Sequence, residues 1–406
     1  MWVISALTNV MHRQSQTVLV LGGDGYLGWS LGIAIAHRLG GKVVLVDKLI
    51  KREWEKSVGA KLLVPLGRPS KRIREYERIY RKRNLFFEKI DLLDQKATAH
   101  VIRKYRPVAI VNAAQQPSAP YSMMSPKNAA ETFTNNIVSH LNALWAVAEI
   151  DKSILYIKLG SAGCYGSVNT DYIPLAKTDF SFEYGGGLRK IFQSWLPMQA
   201  TDFYHQSKIS DFLAGDLGAD LWKLRVITVQ QATIFGATVE ENHPEDHRGL
   251  VTRFNYDHVF STVLNRFVCQ AVVGHPITVY GEGNQRTGLM SLPDTVNSFI
   301  NLLSLDVGRG EHRVIHNYTH RLSIGEIAEA VRKLRPEAKI TYLKNPRRES
   351  ESGPAKQIEV HPSLQEAHNE KEKKFMRELE SMIAFAERYK DSIDPSIMLP
   401  KVRWER

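Results

Sequence analysis

A glycine-rich turn between a short apolar run and an amphipathic stretch constrains the fold of this 406-residue chain more than any other feature. Gly22, Gly25 and Gly28 follow the β-branched run 17–21 and open the stretch 26–39, with the spacing G-x-x-G-x-x-G. Such a turn lets a pyrophosphate approach the backbone, and the helix after it points its N-terminus at the phosphates. The pattern therefore predicts a strand–turn–helix unit that binds a dinucleotide, with Tyr26 and Leu27 beside the phosphates.

The rest of the first half repeats the alternation of strands and helices. Apolar runs at 42–46, 109–112 and 154–159 read as strands, and 135–149 reads as a long helix between the last two. This alternation indicates a parallel sheet covered by helices on both faces. We predict an α/β fold built on a doubly wound Rossmann sheet.

The length of the chain favours two packed domains. We expect an N-terminal tail at 1–16 that is not a signal peptide, and an NAD-binding domain at 17–235 to which part of 287–325 returns. A smaller C-terminal substrate-binding lobe would take 236–286 and 326–406. Its pattern favours one helix near 259–273 and a charged helix at 364–389.

The formal net charge of +11 comes mostly from a basic insert at 51–83. Most of its cations lie on a predicted helix, where they form either a solvated face or a rim that attracts an anionic substrate. These cations are Arg68, Lys71, Arg72, Arg74, Arg78, Arg81, Lys82 and Arg83. No nucleic-acid-binding motif accompanies them, so we expect no nucleic-acid partner. No apolar run is long enough for a membrane span. Only two cysteines occur, which disfavours disulfides and a zinc site and favours the cytoplasm.

Acidic residues after the next two strands fit the adenosine half of a dinucleotide. Asp47 ends the second strand, where a carboxylate can accept both ribose hydroxyls and repels the 2′-phosphate of NADP. This favours NAD, although Lys48, Lys51 and Arg52 leave NADP open. We also expect cofactor contacts from Lys48, Arg52, Asp91, Leu92 and Ala113, with a helix cap as the alternative for Asp91.

A Tyr-x-x-x-Lys pair supplies candidate redox chemistry. Tyr204 and Lys208 lie four residues apart, on one face of a predicted helix. A nearby ammonium lowers the pKa of a phenol, which can then act as a base towards a sugar hydroxyl. Lys208 could also hold the nicotinamide ribose. Ser161 ends an upstream strand and could polarise the same substrate oxygen, and His205 is either catalytic or structural.

With these motifs the chain resembles the UDP-sulfoquinovose synthases, a branch of the extended short-chain dehydrogenases/reductases, within the NAD-dependent epimerase/dehydratase superfamily. The similarity runs from about residue 17 to the C-terminus and is most specific in 118–123, 203–208 and 256–276. It implies NAD and UDP-glucose as ligands. It also implies C4 oxidation, elimination of water across C5 and C6, addition of sulfite at C6 and return of the hydride.

The resemblance implies a set of substrate-binding residues: Ser118, Tyr121, Asn136, Gln231, Asn265, Arg266, Val279, Tyr280, Arg286 and Arg347. The chain departs from the family at several places. Cys164 replaces a glutamate, Ser161 a threonine, Pro117 an arginine and Gln115 an acid, and Arg286 is displaced by one position in the stretch 286–291. Cys164 is then either a proton-exchanging thiol or a small buried residue that fills the space of the former acid.

Three functions are compatible with the sequence. The first is sulfoquinovose synthesis from UDP-glucose and sulfite. The second is 4-epimerisation, dehydration or C6 modification of another nucleotide sugar, and the third is an NAD-binding scaffold or sensor without turnover. The intact Tyr204–Lys208 pair disfavours the third. We expect a homodimer in each case.

Overall fold

The computed structural model describes residues 16–166, 176–184, 187–196, 198–242, 248–347, 362–402 and 404. The tail predicted at 1–16 lies outside these residues except for Gln16, and residues 348–361, before the last helix, also lie outside them.

Within the described residues the strands are β1 (Thr17–Leu21), β2 (Lys42–Asp47), β3 (Leu85–Lys89), β4 (Ala109–Asn112), β5 (Leu155–Leu159), β6 (Ala176–Tyr184), β7 (Gly187–Leu196), β8 (Arg225–Gln231), β9 (Thr233–Phe235), β10 (Ile277–Tyr280), β11 (Arg286–Ser291), β12 (His312–Asn317), β13 (His320–Ser323) and β14 (Ile340–Leu343). The α-helices are α1 (Tyr26–Leu39), α2 (Ile50–Ser57), α3 (Pro69–Tyr80), α4 (Gln95–Tyr105), α5 (Ala119–Ser122), α6 (Pro126–Phe133), α7 (Ser139–Ile150), α8 (Phe203–Trp222), α9 (Val263–Val272), α10 (Leu292–Leu302), α11 (Ile324–Leu334) and α12 (Pro362–Arg388).

A seven-stranded parallel sheet in the order β3-β2-β1-β4-β5-β8-β12 forms the centre of the molecule. All five residues of β1 are buried, because helices cover both faces of the sheet. Helices α1 and α10 supply Trp29, Ile33 and Phe299 to the core on one face. Helices α4 and α7 supply Ile102 and Leu144 to the core on the other. The predicted doubly wound Rossmann fold is confirmed.

A second apolar core belongs to the C-terminal lobe. Phe254, Phe267 of α9, Val331 of α11 and Leu379 of α12 pack together in it. Strand β12, which lies within 287–325, pairs with β8 in the large sheet. Leu63 and Val64 of the basic insert join the second core, although they fall within the predicted first domain. We keep the predicted boundaries as a proposal, with these two residues assigned to the smaller lobe.

Three local features differ from the prediction or refine it. The helix predicted at 135–149 begins as a π-helical segment, Thr134–Val138, and continues as α7. The antiparallel hairpin of β6 and β7 was not predicted. The basic helix forms as α3 and its cations are mostly exposed, but Arg72 is only 1% exposed and its guanidinium lies 3.5 Å from the centre of the Trp29 ring.

None of the helices in the described part of the chain has the length and apolar character that a membrane crossing requires.

Candidate active site

A cavity of about 610 Å³ opens where the parallel strands end and the smaller lobe covers them. Its wall includes Gly22 after β1, Ala113 after β4, Ser161 after β5 and Gln231 at the end of β8. The carboxyl ends of parallel strands are the usual ligand site of such folds, because the strand order reverses there and leaves a crevice.

The glycine loop forms one end of this cavity. Gly22 has φ +87°, and a Cβ there would lie 2.7 Å from the backbone of Ala113. A Cβ on Gly28 would lie 2.1 Å from the Gly22 carbonyl oxygen, so α1 packs against the turn only through a glycine. Gly25, Tyr26 and Leu27 also line the cavity. The tight turn and the open N-terminus of α1 fit the pyrophosphate of a dinucleotide.

An aspartate in the loop ties it to the rest of the molecule. The Asp24 carboxylate is buried among three arginines: Arg52 donates to it at 2.8 and 2.9 Å, Arg253 at 2.5 Å, and Arg72 lies 3.5 Å away. Burial alone would raise the pKa of Asp24, but the arginines hold it below its usual value. The Asp24 amide donates to Asp47 at 3.0 Å. Arg52, expected at the cofactor, is thus engaged by Asp24.

The residues predicted around the adenosine lie near β2 and β3, outside the cavity wall. Asp47 accepts from the Asp24 and Leu49 amides, and burial raises the pKa of its carboxyl. Asp91 forms an ion pair with Lys48 at 3.1 Å. Leu92 is buried in the core beside the sheet. These cofactor contacts stay predictions, whereas Ala113 lies in the cavity wall.

Tyr204 and Ser161 meet at the middle of the cavity. Both line the wall, and the Ser161 hydroxyl lies close enough to the Tyr204 phenol to act towards a lower pKa of that phenol. Ser161 also accepts from the Gly163 amide at 3.1 Å and donates its own amide to Gln230 at 3.0 Å. Burial raises the pKa of the Tyr204 phenol, and the nearby Cys164 and Asp202 raise it further.

The expected pKa-lowering effect of Lys208 on Tyr204 is not seen, because burial dominates the pKa of the phenol. The Lys208 ammonium donates to Gln115, to the Leu159 carbonyl and to Asp211, each at 2.8 Å. These bonds use all three of its N–H groups. Lys208 is fully buried and its ammonium is fully hydrogen-bonded. It can therefore contact the phenol or a ribose only after it releases one of these three partners.

Cys164 does not line the cavity, in correction of the prediction that its thiol exchanges protons with substrate. The residue is 1% exposed, and burial raises the pKa of its thiol to about 12. A thiol with so high a pKa is protonated near neutral pH and a poor base. The structure favours the other interpretation, a small buried residue.

The far end of the cavity is strongly basic. The cavity wall as a whole carries six lysine and arginine side chains and, among the described residues, no aspartate or glutamate. Lys51 and Arg253 lie on the side of the glycine loop, and the others are Arg266, Arg286, Arg321 and Arg347. Arg266 is held by the Tyr280 hydroxyl at 2.8 Å, and Arg286 by Glu326 at 3.2 Å. A wall with this charge fits ligands that carry phosphates.

Most of the predicted substrate residues reach the cavity, and three do not. Those in the wall are Ser118, Gln231, Asn265, Arg266, Tyr280, Arg286 and Arg347. Tyr121 is packed between Trp54 and Phe260 with its hydroxyl on Glu131 at 2.6 Å. Asn136 is buried and bonds to the Gln116 backbone and Ser207, and Val279 lies in the second core. These three side chains lie outside the cavity wall, and their contacts with a substrate stay predictions.

Sequence reasoning missed Arg321 and Gln285 in the wall, and also Asp202 beside His205. Only Asp202 had a readable signal, an N-cap residue directly before a helix. Among the described residues no group of histidine, cysteine, aspartate or glutamate side chains could hold a metal ion.

Comparisons with known proteins agree with this geometry. The profile of the NAD-dependent epimerase/dehydratase family matches residues 18–315. The chain is 34% identical to the UDP-sulfoquinovose synthase of Sulfolobus acidocaldarius, over 96% of this chain and 98% of that protein. It is 32% identical to the chloroplastic UDP-sulfoquinovose synthase of Spinacia oleracea, over 96% of this chain and 79% of that protein.

The fold matches solved structures as well. The UDP-glucose 4-epimerase of Thermotoga maritima superposes with a TM-score of 0.61 at 15% identity, covering 92% of this chain and 99% of the other. NAD fits the glycine loop, since a side chain at Gly22 or Gly28 would clash with the loop itself and only the open turn leaves room for phosphates. The chain therefore belongs to the NAD-dependent epimerase/dehydratase family and, within it, groups with the UDP-sulfoquinovose synthases.

Proposed function

We propose that this chain converts UDP-glucose and sulfite to a UDP-bound hexose sulfonated at C6. The observation that carries the proposal is one continuous cavity, which runs from the glycine loop past Tyr204 and Ser161 to the arginines at its far end. NAD bound at the glycine loop would supply the hydride acceptor for C4 of the sugar. The two synthases that match almost the whole chain support the choice of substrates.

The basic end suits the diphosphate of a UDP-sugar. Guanidinium groups match phosphate oxygens with paired donors, and Arg286, Arg321 and Arg347 offer several such groups in one wall. Gln231 Nε2 and Gln285 Oε1 are buried in the described structure without a hydrogen-bond partner, and both residues line the cavity. Uracil and sugar hydroxyls provide the donors and acceptors that such amides need.

The middle of the cavity suits oxidation at C4. Ser161 and Tyr204 both line this part of the wall and would share the C4 hydroxyl, whose proton Tyr204 takes. Because burial raises the pKa of Tyr204, the phenol needs a positive neighbour before it can act as a base near neutral pH. We propose that Lys208 exchanges its contact with Gln115 for one with Tyr204 or the ribose when the ligands bind.

The test is incubation of the purified protein with UDP-glucose in deuterated water, with and without sulfite. A sulfonated nucleotide sugar that forms only with sulfite, detected by mass spectrometry, supports the proposal. GDP-glucose serves as the matched control for recognition of the uracil ring. Bound substrate with neither a sulfonated product nor deuterium at C5 or C6 would overturn it.

A 4-epimerase or a dehydratase acting on another sugar is the second candidate. The neutral side chains of Gln115 and Cys164, where the family resemblance implies acids, favour it. The same incubation distinguishes these activities on UDP-glucose, because a 4-epimerase forms UDP-galactose without C5 exchange and a dehydratase forms no sulfonated sugar when sulfite is present. A protein that binds NAD and UDP-glucose without any turnover would be the scaffold instead.

We further propose a homodimer formed by α7 and α8. Leu213, Leu217 and Leu221 repeat every four residues on α8 and are 46%, 57% and 62% exposed. Trp145 of α7 and Trp222 pack against each other at 4.8 Å and extend this apolar surface. An exposed stripe of this kind on two adjacent helices pairs well with its own copy. Sedimentation analysis should show twice the monomer mass.

A cytoplasmic location is the remaining part of the proposal. It is supported by Cys164 and Cys269, which are both free and buried. Cell fractionation with an antibody against the protein tests it.

A further inference from the structure

A second lysine lies buried behind Lys208. Lys158 is the fourth residue of β5, where the alternation of a strand places its side chain on the same face as Tyr156. Helices α7 and α8 cover this face. The Lys158 side chain is 1% exposed and is not part of the cavity wall. Within the described residues its Nζ has no hydrogen bond, so the ammonium acts there as a charge.

Asp211 of α8 is the counter-ion that the two lysines share. Its Oδ2 lies 2.8 Å from Lys208 Nζ and 3.2 Å from Lys158 Nζ, and these three side chains are here called the lysine cluster. Burial alone would raise the pKa of Asp211, but the two lysines hold it below its usual value. Two cations therefore share one ionised carboxylate, and the cluster has a positive charge in excess.

The stability of the fold does not explain the presence of Lys158. A buried charge costs free energy that a well-placed partner of its own can offset. Here the carboxylate is already hydrogen-bonded to Lys208. A methionine at position 158 would leave one lysine facing one carboxylate without this cost. A second buried ammonium at this place therefore indicates an electrostatic role.

Asp211 acts on Tyr204 as well as on the lysines. Burial raises the pKa of the Tyr204 phenol most, and the negative charge of Asp211 raises it further. If Lys208 were the only counter-ion of this carboxylate, the two opposite charges would largely cancel at the phenol. With Lys158 also on the carboxylate, the positive charge of Lys208 is not cancelled.

We propose that Lys158 is a positioning residue of the redox step, which keeps the charge of Lys208 available to the Tyr204 phenolate by neutralising the shared carboxylate. This role deepens the proposed function and rests on it. As the C4–H bond gives its hydride to NAD, the C4 hydroxyl gives its proton to the phenolate. The phenolate and the lysine cluster together carry no net charge, whereas without Lys158 they would bury a negative charge.

The other titratable groups around the lysine cluster and the phenol do not supply this charge. His140 of α7 contacts the backbone of α8 at 3.0 Å and stays neutral, because burial lowers its pKa to about 3. Tyr156 on β5 stays protonated, because burial raises its pKa. Near Tyr204, the Cys164 thiol is protonated because burial raises its pKa to about 12, and Asp202 adds a negative charge.

The experiment measures NADH formation from UDP-glucose in a single turnover of the NAD-loaded protein at several pH values. In Lys158→Met the rate at pH 7 should fall about 10- to 100-fold, because the pKa of the phenol rises by about one to two units and less phenolate is present. The acidic limb of the pH–rate profile should move to higher pH by the same amount. The dissociation constant for UDP-glucose should not change, because Lys158 lies outside the cavity wall.

A double variant separates charge balance from packing. Lys158→Met combined with Asp211→Asn removes both charges behind Lys208, so the rate and the pH–rate profile should return to within about threefold of the native protein. Tyr156→Phe is the matched control. It lies on the same face of β5 and loses the hydroxyl that accepts from Asn112 at 2.7 Å, but no charge changes, so the rate should stay the same. A native rate in Lys158→Met, or a double variant as slow as the single one, would overturn the proposal.

A readout without turnover separates this inference from the proposed function. NMR of the NAD-loaded protein with carbon-13 at lysine Cε reports the charge of Lys158, whose signal is assigned by its loss in Lys158→Met. The ammonium should be charged at pH 6 and lose its proton near pH 8, because burial lowers its pKa to about 8. If the protein does not oxidise UDP-glucose, the proposed function fails while a charged Lys158 still supports the charge balance. A neutral Lys158 at pH 6 would overturn the inference for any substrate.

Discussion

Replacing Asp211 by asparagine should destabilise the protein strongly, because this carboxylate neutralises two buried lysines. Asp211 Oδ2 lies 2.8 Å from Lys208 Nζ and 3.2 Å from Lys158 Nζ, and all three side chains are at most 1% exposed. Burial already lowers the pKa of Lys158 to about 8. His140 beside them cannot compensate, since burial lowers its pKa to about 3 and it stays neutral.

The loss of unfolding free energy follows from the buried lysine charge that Asp211→Asn leaves without a partner. Removing one partner of a buried ion pair costs roughly 3–5 kcal/mol. The loss has a ceiling, because the folded variant can release a proton from Lys158. For a lysine of ordinary pKa, that release costs about 5 kcal/mol at pH 7. We therefore expect the free energy of unfolding to fall by about 3–5 kcal/mol in Asp211→Asn.

The unfolding free energy of the variant should depend on pH more steeply than that of the native protein. In the variant the lysine is neutral when folded and protonated when unfolded, so its folded pKa is lowered. The unfolding free energy then rises by about 1.4 kcal/mol per pH unit and is lost as the pH falls. In the native protein Lys158 stays mostly charged well below its pKa of about 8, so below about pH 7 this group adds little slope.

Urea unfolding at several pH values measures both effects. Lys158→Met is the matched control: it leaves one lysine facing one carboxylate, and should be neutral or stabilising because a buried charge without its own partner is removed. A loss below about 1 kcal/mol in Asp211→Asn, or equal pH slopes for variant and native protein, would refute the electrostatic account.

Further predictions concern the cavity and the outer helices. Gly25→Val should abolish NAD binding in calorimetry by filling the phosphate space, whereas Gly67→Ala, with only ordinary contacts, should not. Tyr204→Phe should still bind UDP-glucose but form NADH about 10² to 10⁴ times more slowly, and normal turnover would contradict the redox role. Arg347→Ala should raise KM for the UDP-sugar about 10- to 100-fold with a smaller change in kcat. Leu217→Glu should yield monomers in sedimentation, and an unchanged mass would exclude the α7–α8 interface.

The sequence predicts well what depends on local pattern. The glycine spacing and the apolar period predicted α1 with its observed bounds, Tyr26–Leu39, because the turn and the helix face are both encoded within twenty residues. Strands β1, β2, β4 and β5 of the large sheet were predicted for the same reason, whereas β8 and β12 were not. The hairpin of β6 and β7 was missed although Phe180, Phe182 and Tyr184 alternate with polar residues before the glycines at 185–187, which is a pattern typical of a hairpin.

The site was harder to predict because a side chain's direction depends on tertiary packing. Tyr121, Asn136 and Val279 lie in segments that approach the cavity, yet their side chains point into the core. The pKa of Tyr204 depends on burial, which outweighs the spacing to Lys208 that the sequence displays. Arg321 reaches the wall only because β13 pairs with β11, a contact between distant segments.

The arginines on Asp24 connect the glycine loop to two other regions of the chain. Arg52 and Arg72 come from the insert, and Arg253 from the segment that leads into the smaller lobe. Opening the loop would separate an ionised carboxylate from all three at once, so we expect the insert and the loop to exchange their amide hydrogens as one cooperative unit. An enzyme that takes a hydride from its sugar and later returns it needs the reduced cofactor to stay bound between the two transfers. Ion pairs that keep the glycine loop closed serve this need.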